Sequence, residues 1–467
     1  MTSVRSFANV FRRKNVQNAV DNLPRSVRKT VKWTASYLPK RYVIGKEYSN
    51  ARSFLNDSQW WSEDQLREYQ KERLHHLIEH AYKNVPYYRE LFDNQGISPS
   101  DIQTVGDLSK LPRLTKDDIR QNYRQLQAQN VDDAIVNHTS GSTGEPFTFE
   151  ESSNIEQVER AFINRAFNAH GTDLYHEKTV WLRSYSPDDG DPIYKYEPHL
   201  EILFLSPFHL SPDRLDEYVD LINSFGASTL VGYPSSIYIL ATLLKDRDLK
   251  LNHIDVVHTG SENFLPEWRD RVESILGVPA KDHYGMAEKV GLFHQCSESY
   301  KYHENLEYGV VEIVDRDNGT GQIVGTSLWN YAMPLIRYEM GDKATINKGS
   351  TTCNCGRGLP LTVEQFEGRT DDILRTPDGR LLPAVNFYTL MYGIEGVEMF
   401  KLIQRSVDHV DVQLVVSDSF DESNESELRS GLDQRLGDNV EVQIHYTNII
   451  DRDPDTGKIR CVESEIN

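Results

Sequence analysis

The sequence predicts an α/β protein in two unequal parts: a large N-terminal α/β domain with a helical N-terminal region, and a small C-terminal α+β domain. Three observations carry this. Between Val131 and Glu307, short β-branched apolar runs alternate with stretches of helical periodicity. From Ser62 to Lys83, apolar residues recur at three- and four-residue steps. Near Asp371 the order changes, and the final stretch of about 95 residues reads strand, strand, helix, strand.

Each element follows from its residues. Leu66, Tyr69, Leu74, Leu77, Ile78 and Ala81 form the apolar face of the early helix, which Pro86 breaks. Pro112 and the Thr115–Asp118 pair mark a loop and a capped helix start. Lys178 to Leu182, Thr229 to Gly232, Val256 to Thr259 and Lys281 to Tyr284 read as buried strands. Asp213 to Phe225 and Pro234 to Leu244 read as helices between them. After Glu307 a hairpin is expected, Gly309 to Val314 and Gln322 to Leu328 about Asn318-Gly319. In the C-terminal part, Lys401 to Gln404, Val410 to Val416 and Val440 to Tyr446 read as strands, and Asn424 to Arg435 as a helix. The expected division is a basic arm over 1–41, a large domain over 42–370 and a small domain over 371–467.

A chain of 467 residues is too long for one ordinary core, and its 38% hydrophobic and 26% charged residues are those of a soluble globular protein. No apolar run approaches the roughly 18 residues that span a bilayer, and the N-terminus has no apolar signal core. A formal charge of −20 disfavours general nucleic-acid binding. Four cysteines do not make a disulfide framework, and a reducing cytoplasm is the expected compartment. Met1 to Arg41 is the exception in charge, with ten basic residues against the single acid Asp21. Its apolar residues, among them Val4, Phe7, Val10 and Phe11, fall at helical intervals. The arm therefore reads either as packed on the main body with its charges solvated or as a peripheral contact at the inner face of an anionic membrane.

Thr139-Ser140-Gly141-Ser142-Thr143-Gly144-Glu145-Pro146 is the most informative stretch. Two glycines let the backbone turn tightly and aim N–H groups at phosphate oxygens, and the hydroxyls add donors. The stretch lies between two β-like runs and lacks a Gly-Lys-Ser/Thr ending, so it is not the loop of a P-loop NTPase.

In that order the residues resemble the phosphate loop of the ANL superfamily of acyl-adenylate-forming enzymes. Tyr284-Gly285-Met286-Ala287-Glu288, Arg337-Tyr338-Glu339-Met340-Gly341-Asp342, Gly368-Arg369-Thr370-Asp371-Asp372 and Thr456-Gly457-Lys458-Ile459-Arg460 resemble four further motifs of that superfamily, in its order. Trp60, Tyr69-Gln70, Asn84-Val85-Pro86-Tyr87-Tyr88 and Cys353-x-Cys355-Gly356-Arg357 are similar to the phenylacetate–CoA ligase-like branch, which includes CapK-type relatives of capsular polysaccharide biosynthesis.

The resemblance implies a magnesium-dependent ligase that joins ATP to a small-molecule carboxylate, releases pyrophosphate and transfers the acyl group to CoA. Two alternatives stand beside it: transfer to an amine or hydroxyl of a sugar, amino acid or carrier, and a catalytically silent nucleotide binder. It implies that Thr139, Ser140, Gly141, Ser142, Thr143 and Gly144 hold the β- and γ-phosphates and that Glu288 binds Mg²⁺. Tyr284 and Gly285 would lie near adenine, and Gly260, Ser261 and Glu262 would line the base. Asp342 would accept from the ribose hydroxyls, and Arg369 would contact ribose or phosphate. Lys458 would reach the α-phosphate and the carboxylate. Asp371 is the expected hinge about which the small domain moves. Tyr233, Pro234, Ser235 and Ser236 are expected in the acyl pocket, with Trp181 to Tyr185 nearby.

Cys296, His303, Cys353 and Cys355 make a candidate Cys₃His set for tetrahedral Zn²⁺, with His294 as a competing ligand. Spacing alone says little, since Cys-x-Cys is tighter than usual; a similar arrangement in the phenylacetate–CoA ligase-like branch implies a closed, structural site. Two departures stand out. Glu145 occupies a position often held by lysine in phenylacetate-activating members, and Thr376 to Asn386 differs from the compact Gly-x-Asn-x-x-Pro turn of aryl-CoA ligases.

Overall fold

A computed structural model describes residues 44–138, 148–187, 190–198, 200–317, 319–367, 373–391, 393–450 and 461–466. The basic arm, the phosphate loop from Thr139 to Gly144, Arg369, Asp371 and Lys458 lie outside the described residues.

The helical N-terminal region holds α1 (Lys46–Ser58), α2 (Glu63–Asn84), α3 (Pro86–Gln95) and α4 (Lys116–Gln121). A reciprocal capping box opens α2: Gln65 N–H donates to Ser62 Oγ at 3.3 Å, and Ser62 N–H donates to Gln65 Oε1 at 2.9 Å. Pro86 both ends α2 and opens α3, because proline is excluded from helix interiors but favoured at the first helical position. Leu74, Leu77, Ile78 and Ala81 pack into a cluster with Phe92, Phe293, Tyr338 and Met340.

Next come the antiparallel pair β1 (Ile135–His138) and β2 (Thr148–Glu151), which flank the phosphate loop as expected, and α5 (Ile155–Asn168). The α/β stretch follows: β3 (Thr179–Leu182), β4 (Tyr194–Glu197), β5 (Ile202–Leu205), α6 (Leu215–Phe225), β6 (Thr229–Gly232), α7 (Pro234–Asp246), β7 (Val256–Gly260), α8 (Pro266–Leu276) and β8 (Ala280–Gly285). After it come β9 (Leu292–Gln295), β10 (Tyr302–Glu304), the hairpin β11 (Gly309–Asp317) and β12 (Thr320–Ser327), β13 (Tyr338–Ile346) and β14 (Leu361–Glu367).

Twelve strands form one sheet in the order β11-β12-β13-β14-β10-β9-β8-β7-β6-β3-β5-β4. Within it β5, β3, β6, β7 and β8 are parallel neighbours. Every residue of β6 and β7 is buried, as expected of parallel strands covered on both faces. Ile237, Leu240 and Leu244 of α7 pack in one cluster with Leu182, Leu230 and Val257. Phe162 and Phe167 of α5 pack in another with Val231 and Leu292.

The C-terminal domain holds the hairpin β15 (Ile373–Arg375) and β16 (Leu381–Pro383), α9 (Val385–Met391), β17 (Val397–Ser406), β18 (His409–Val416), α10 (Glu422–Leu436), β19 (Glu441–Tyr446) and β20 (Val462–Ser464). Its sheet runs β19-β18-β17-β20 and has a separate cluster including Phe387, Phe400, Leu414, Leu428 and Leu432. Buried Arg380 ties it together, donating to the carbonyls of Arg435 at 2.7 Å and Leu436 at 2.9 Å. A weaker bond of 3.3 Å from Arg380 reaches Phe208 O in the large part. Among the described residues no helix is long and apolar enough to cross a membrane.

Candidate active site and metal centre

The parallel strands end at one edge. Leu182 lies beside Gly232, Gly232 beside Thr259, and Gly260 beside His283. The residues that follow, Arg183, Tyr233 and Ser261, therefore converge with Tyr284 outside the carboxyl ends of the strands, where open α/β sheets bind ligands. Gly260 is tightly enclosed: a Cβ there would stand 2.5 Å from the His283 ring.

The second and third motifs meet at this edge. Tyr284 donates its hydroxyl to Asp342 Oδ2 at 2.8 Å, across 58 residues of sequence. Its ring stacks on Phe366 with centroids 3.8 Å apart, which covers one face. Tyr338 donates to Glu288 Oε1 at 2.8 Å. Glu288 is buried, and burial raises its pKa above the ordinary carboxylate value against the opposing charge of Lys116. A buried carboxylate held this way suits a hard divalent cation. Arg337 is a structural anchor, forking onto Glu312 at 3.0 and 2.9 Å. Its φ of 56° lies in the left-handed region, rare for a side chain of this size.

The base-lining and acyl-pocket segments are also brought together. Ser235 N–H, in the first turn of α7, donates to Glu262 Oε2 at 3.0 Å, a carboxylate on a helix N-terminus. Arg183 Nη2 donates to Ser261 Oγ at 3.1 Å, and Ser184 Oγ lies 3.0 Å from Tyr233 Oη. Next to Glu288, Lys289 donates to Glu151 Oε1 at 2.6 Å and stands 3.6 Å from Glu159 Oε2. This triad, in which Lys289 and Glu151 are buried, joins the end of β2, α5 and the Glu288 segment.

Cys296, His303, Cys353 and Cys355 converge, their ligand atoms all within 4.8 Å of one another. Cys296 Sγ lies 3.0 Å from Cys353 Sγ, and Cys355 Sγ lies 3.4 Å from His303 Nε2. Zinc–sulfur and zinc–nitrogen bonds of about 2.3 and 2.0 Å give a tetrahedron with donor–donor edges of about 3.5–3.8 Å, so the set fits the ion. His303 Nδ1 stands 2.7 Å from Leu359 O, which leaves Nε2 to the thiols. Buried Lys281 donates to the carbonyls of Cys296, Ser297 and Ser299 at 3.1–3.4 Å and shapes the first ligand's loop. Burial opposes the Cys296 thiolate, but the His303 imidazole and the Cys353 thiol outweigh it and bring its pKa down to about 6. His294 lies outside this set; its ring sits 5.4 Å from that of His303, centroid to centroid. Four protein ligands leave no open position, so the metal would be structural. About one equivalent of zinc per chain is expected from elemental analysis of protein purified without chelator. Cys353→Ser should lose it and melt several degrees lower; a metal-free native protein would refute the site.

Sequence reasoning missed the partners. Tyr338 belongs to the Arg-Tyr-x-x-Gly-Asp motif, but nothing in the spacing couples it to Glu288. Lys289 follows the motif residue Glu288, and its acids lie 138 and 130 positions away.

In comparisons with solved structures, the chain is similar to 2-hydroxyisobutyryl-CoA ligase in complex with its acyl-AMP and CoA. The identity is 18%, the TM-score 0.52, and the match covers 85% of this chain and 90% of that one. The likeness is one of fold. That fold and the ordered motifs define an adenylate-forming ligase. Residues 374–465 match the CapK C-terminal domain family. Protein CapK of Staphylococcus aureus is 24% identical over 402 residues, covering 83% of this chain and 87% of that protein. Phenylacetate-coenzyme A ligase of Thermus thermophilus is 26% identical over 416 residues, covering 82% and 92%. The chain is thus similar, over most of its length, to adenylate-forming ligases of the phenylacetate–CoA ligase-like kind.

Proposed function

We propose that the enzyme activates a carboxylic acid with ATP and passes the acyl group to CoA. The observation that carries this is the meeting of Tyr284, Glu288, Tyr338 and Asp342 at the carboxyl edge of the parallel strands. In the first half-reaction a carboxylate oxygen bonds to the α-phosphorus, the bond to the β-phosphate breaks, and pyrophosphate leaves with the electron pair. In the second, the CoA sulfur bonds to the acyl carbon, AMP leaves, and the thiol proton is released.

Both partners of the first step are anions, so the site must supply donors and positive charge. In this reading residues 139–144, Thr143 among them, cradle the phosphates. Lys458 and Arg369 bring charge to the α-phosphate and ribose, Asp342 accepts from the ribose hydroxyls, and Tyr284 packs at adenine beside Gly260 to Glu262. Mg²⁺ on Glu288 supplies neutralisation of phosphate charge. Asp371 is the hinge between domains 42–370 and 371–467. The enzyme works in the cytoplasm, with the basic arm available to an anionic membrane face.

A second reading keeps adenylation and replaces CoA with an amine or hydroxyl acceptor. The match of residues 374–465 to the CapK C-terminal domain favours it, since the small domain is expected to serve the transfer step. AMP formation with and without CoA separates the two.

The test of adenylation is carboxylate-dependent ATP–pyrophosphate exchange across an acid library, with Lys458→Ala beside the native protein. Exchange should require particular acids and fall about 100-fold or more in the variant. Measurable ATP binding with no exchange for any acid would replace this reading with a silent nucleotide binder.

A further inference from the structure

At the edge where the acyl pocket is expected stands an arginine that none of the proposed steps uses. Arg183 follows β3 and is half-buried. The hydrogen bond described for its guanidinium runs to Ser261 Oγ at 3.1 Å, and its buried Nε has no partner. Its Cζ lies 4.8 Å from the centre of the Tyr233 ring. No ion pair of Arg183 occurs among the described residues. Glu262, the acid next to Ser261, accepts from the α7 N-terminus.

Three further observations point to a ligand. Ser184, next along the chain, and Ser261, the partner of the guanidinium, hold φ values of 57° and 72°. Glycine is the residue the backbone prefers there, and strain of this kind collects at ligand sites. Both serines use their hydroxyls at the cleft, one on Tyr233 and one on Arg183. The Oγ atoms of Ser235 and Ser236, in the first turn of α7, are buried and have no partner. A pocket for an aryl or alkyl chain would present apolar atoms here. This edge presents a guanidinium and serine hydroxyls, which favour negative charge, while the helix N-terminus beside them already holds the Glu262 carboxylate.

We infer that the acid activated by this enzyme is a dicarboxylate, one carboxylate meeting ATP and the other forking onto Arg183. The inference rests on the adenylation reading and adds the substrate class. Arginine's planar fork matches a carboxylate, and a half-buried guanidinium with no ion pair among the described residues gains from one. Ser261 aims the fork, and Tyr233 floors it. A monoacid of equal length would leave the guanidinium unpaired and be rejected, because a site built for a polar group discriminates strongly against an analogue lacking it.

The experiment is ATP–pyrophosphate exchange with matched pairs: succinate and butyrate, adipate and hexanoate, 4-carboxyphenylacetate and phenylacetate. Native protein, Arg183→Met and Arg183→Lys are compared, each first shown to bind ATP and to melt as a folded protein. A diacid should support exchange and its monoacid partner should not. Arg183→Met should raise KM for that diacid about 10- to 100-fold with KM for ATP unchanged, and Arg183→Lys should recover part of the loss. Exchange as efficient with monoacids, or an unchanged diacid KM in Arg183→Met, would overturn the inference alone. A raised KM for ATP with the diacid KM unchanged would reassign Arg183 to the nucleotide. Exchange with no acid at all would remove the adenylation reading, and the inference with it.

Discussion

Glu288→Gln is expected to lower acid-dependent ATP–pyrophosphate exchange about 10²–10³-fold while raising the melting temperature at pH 8. The two effects share one cause. Glu288 is buried, and its pKa is raised above 4.5 by that burial. The folded state therefore holds the proton more tightly than the unfolded chain. Stability from this group is present below the unfolded-state value and is lost as pH rises through the folded one. Above the folded-state value the native protein carries a buried negative charge that a cation would neutralise. Glutamine keeps the shape and still accepts from Tyr338, but it removes both the charge cost and the cation ligand. Mg²⁺ should correspondingly stabilise the native protein, with ATP present, more than the variant. Native exchange rates in the variant, or a lower melting temperature at pH 8, would refute the assignment.

The second large effect is on stability. Arg165→Met should cost about 3–5 kcal/mol in urea unfolding. Arg165 on α5 and Glu307 between β10 and β11 are both buried and pair at 2.6 and 3.0 Å. Ser58 Oγ donates to the same carboxylate at 2.7 Å. Burial alone would raise the Glu307 pKa; Arg165 reverses the direction and holds it below the ordinary value. Removing only the guanidinium strands a carboxylate in the interior. Pairing Arg165→Met with Glu307→Leu should recover much of the loss, because the pair's desolvation cost disappears with its attraction. A single variant within 1 kcal/mol of native would show that water reaches Glu307.

Much of the local structure was legible. The helix that follows Ser62, the capping signal at Thr115, the strands at Thr229 to Gly232 and Val256 to Thr259 and the hairpin after Gly309 all occur where periodicity and turn chemistry placed them. These features rest on neighbours within a few residues. Arg183 shows the limit: at the end of a buried strand it reads only as a polar residue leaving the sheet. Ser261, expected only to line the base, is the hydroxyl that holds it.

By itself the sequence carried the likeness to adenylate-forming ligases, through five motifs in that superfamily's order, and it determined the strands and helices, since their periods are local. Only the tertiary structure decided the partners. The Tyr338–Glu288 bond, the Lys289 triad, the convergence of Cys296 and His303 with Cys353 and Cys355, and the Arg183–Ser261 bond all join positions 50 or more residues apart or depend on which strands lie side by side. Strand order is set by burial summed over the whole sheet, and no short stretch of sequence carries that sum.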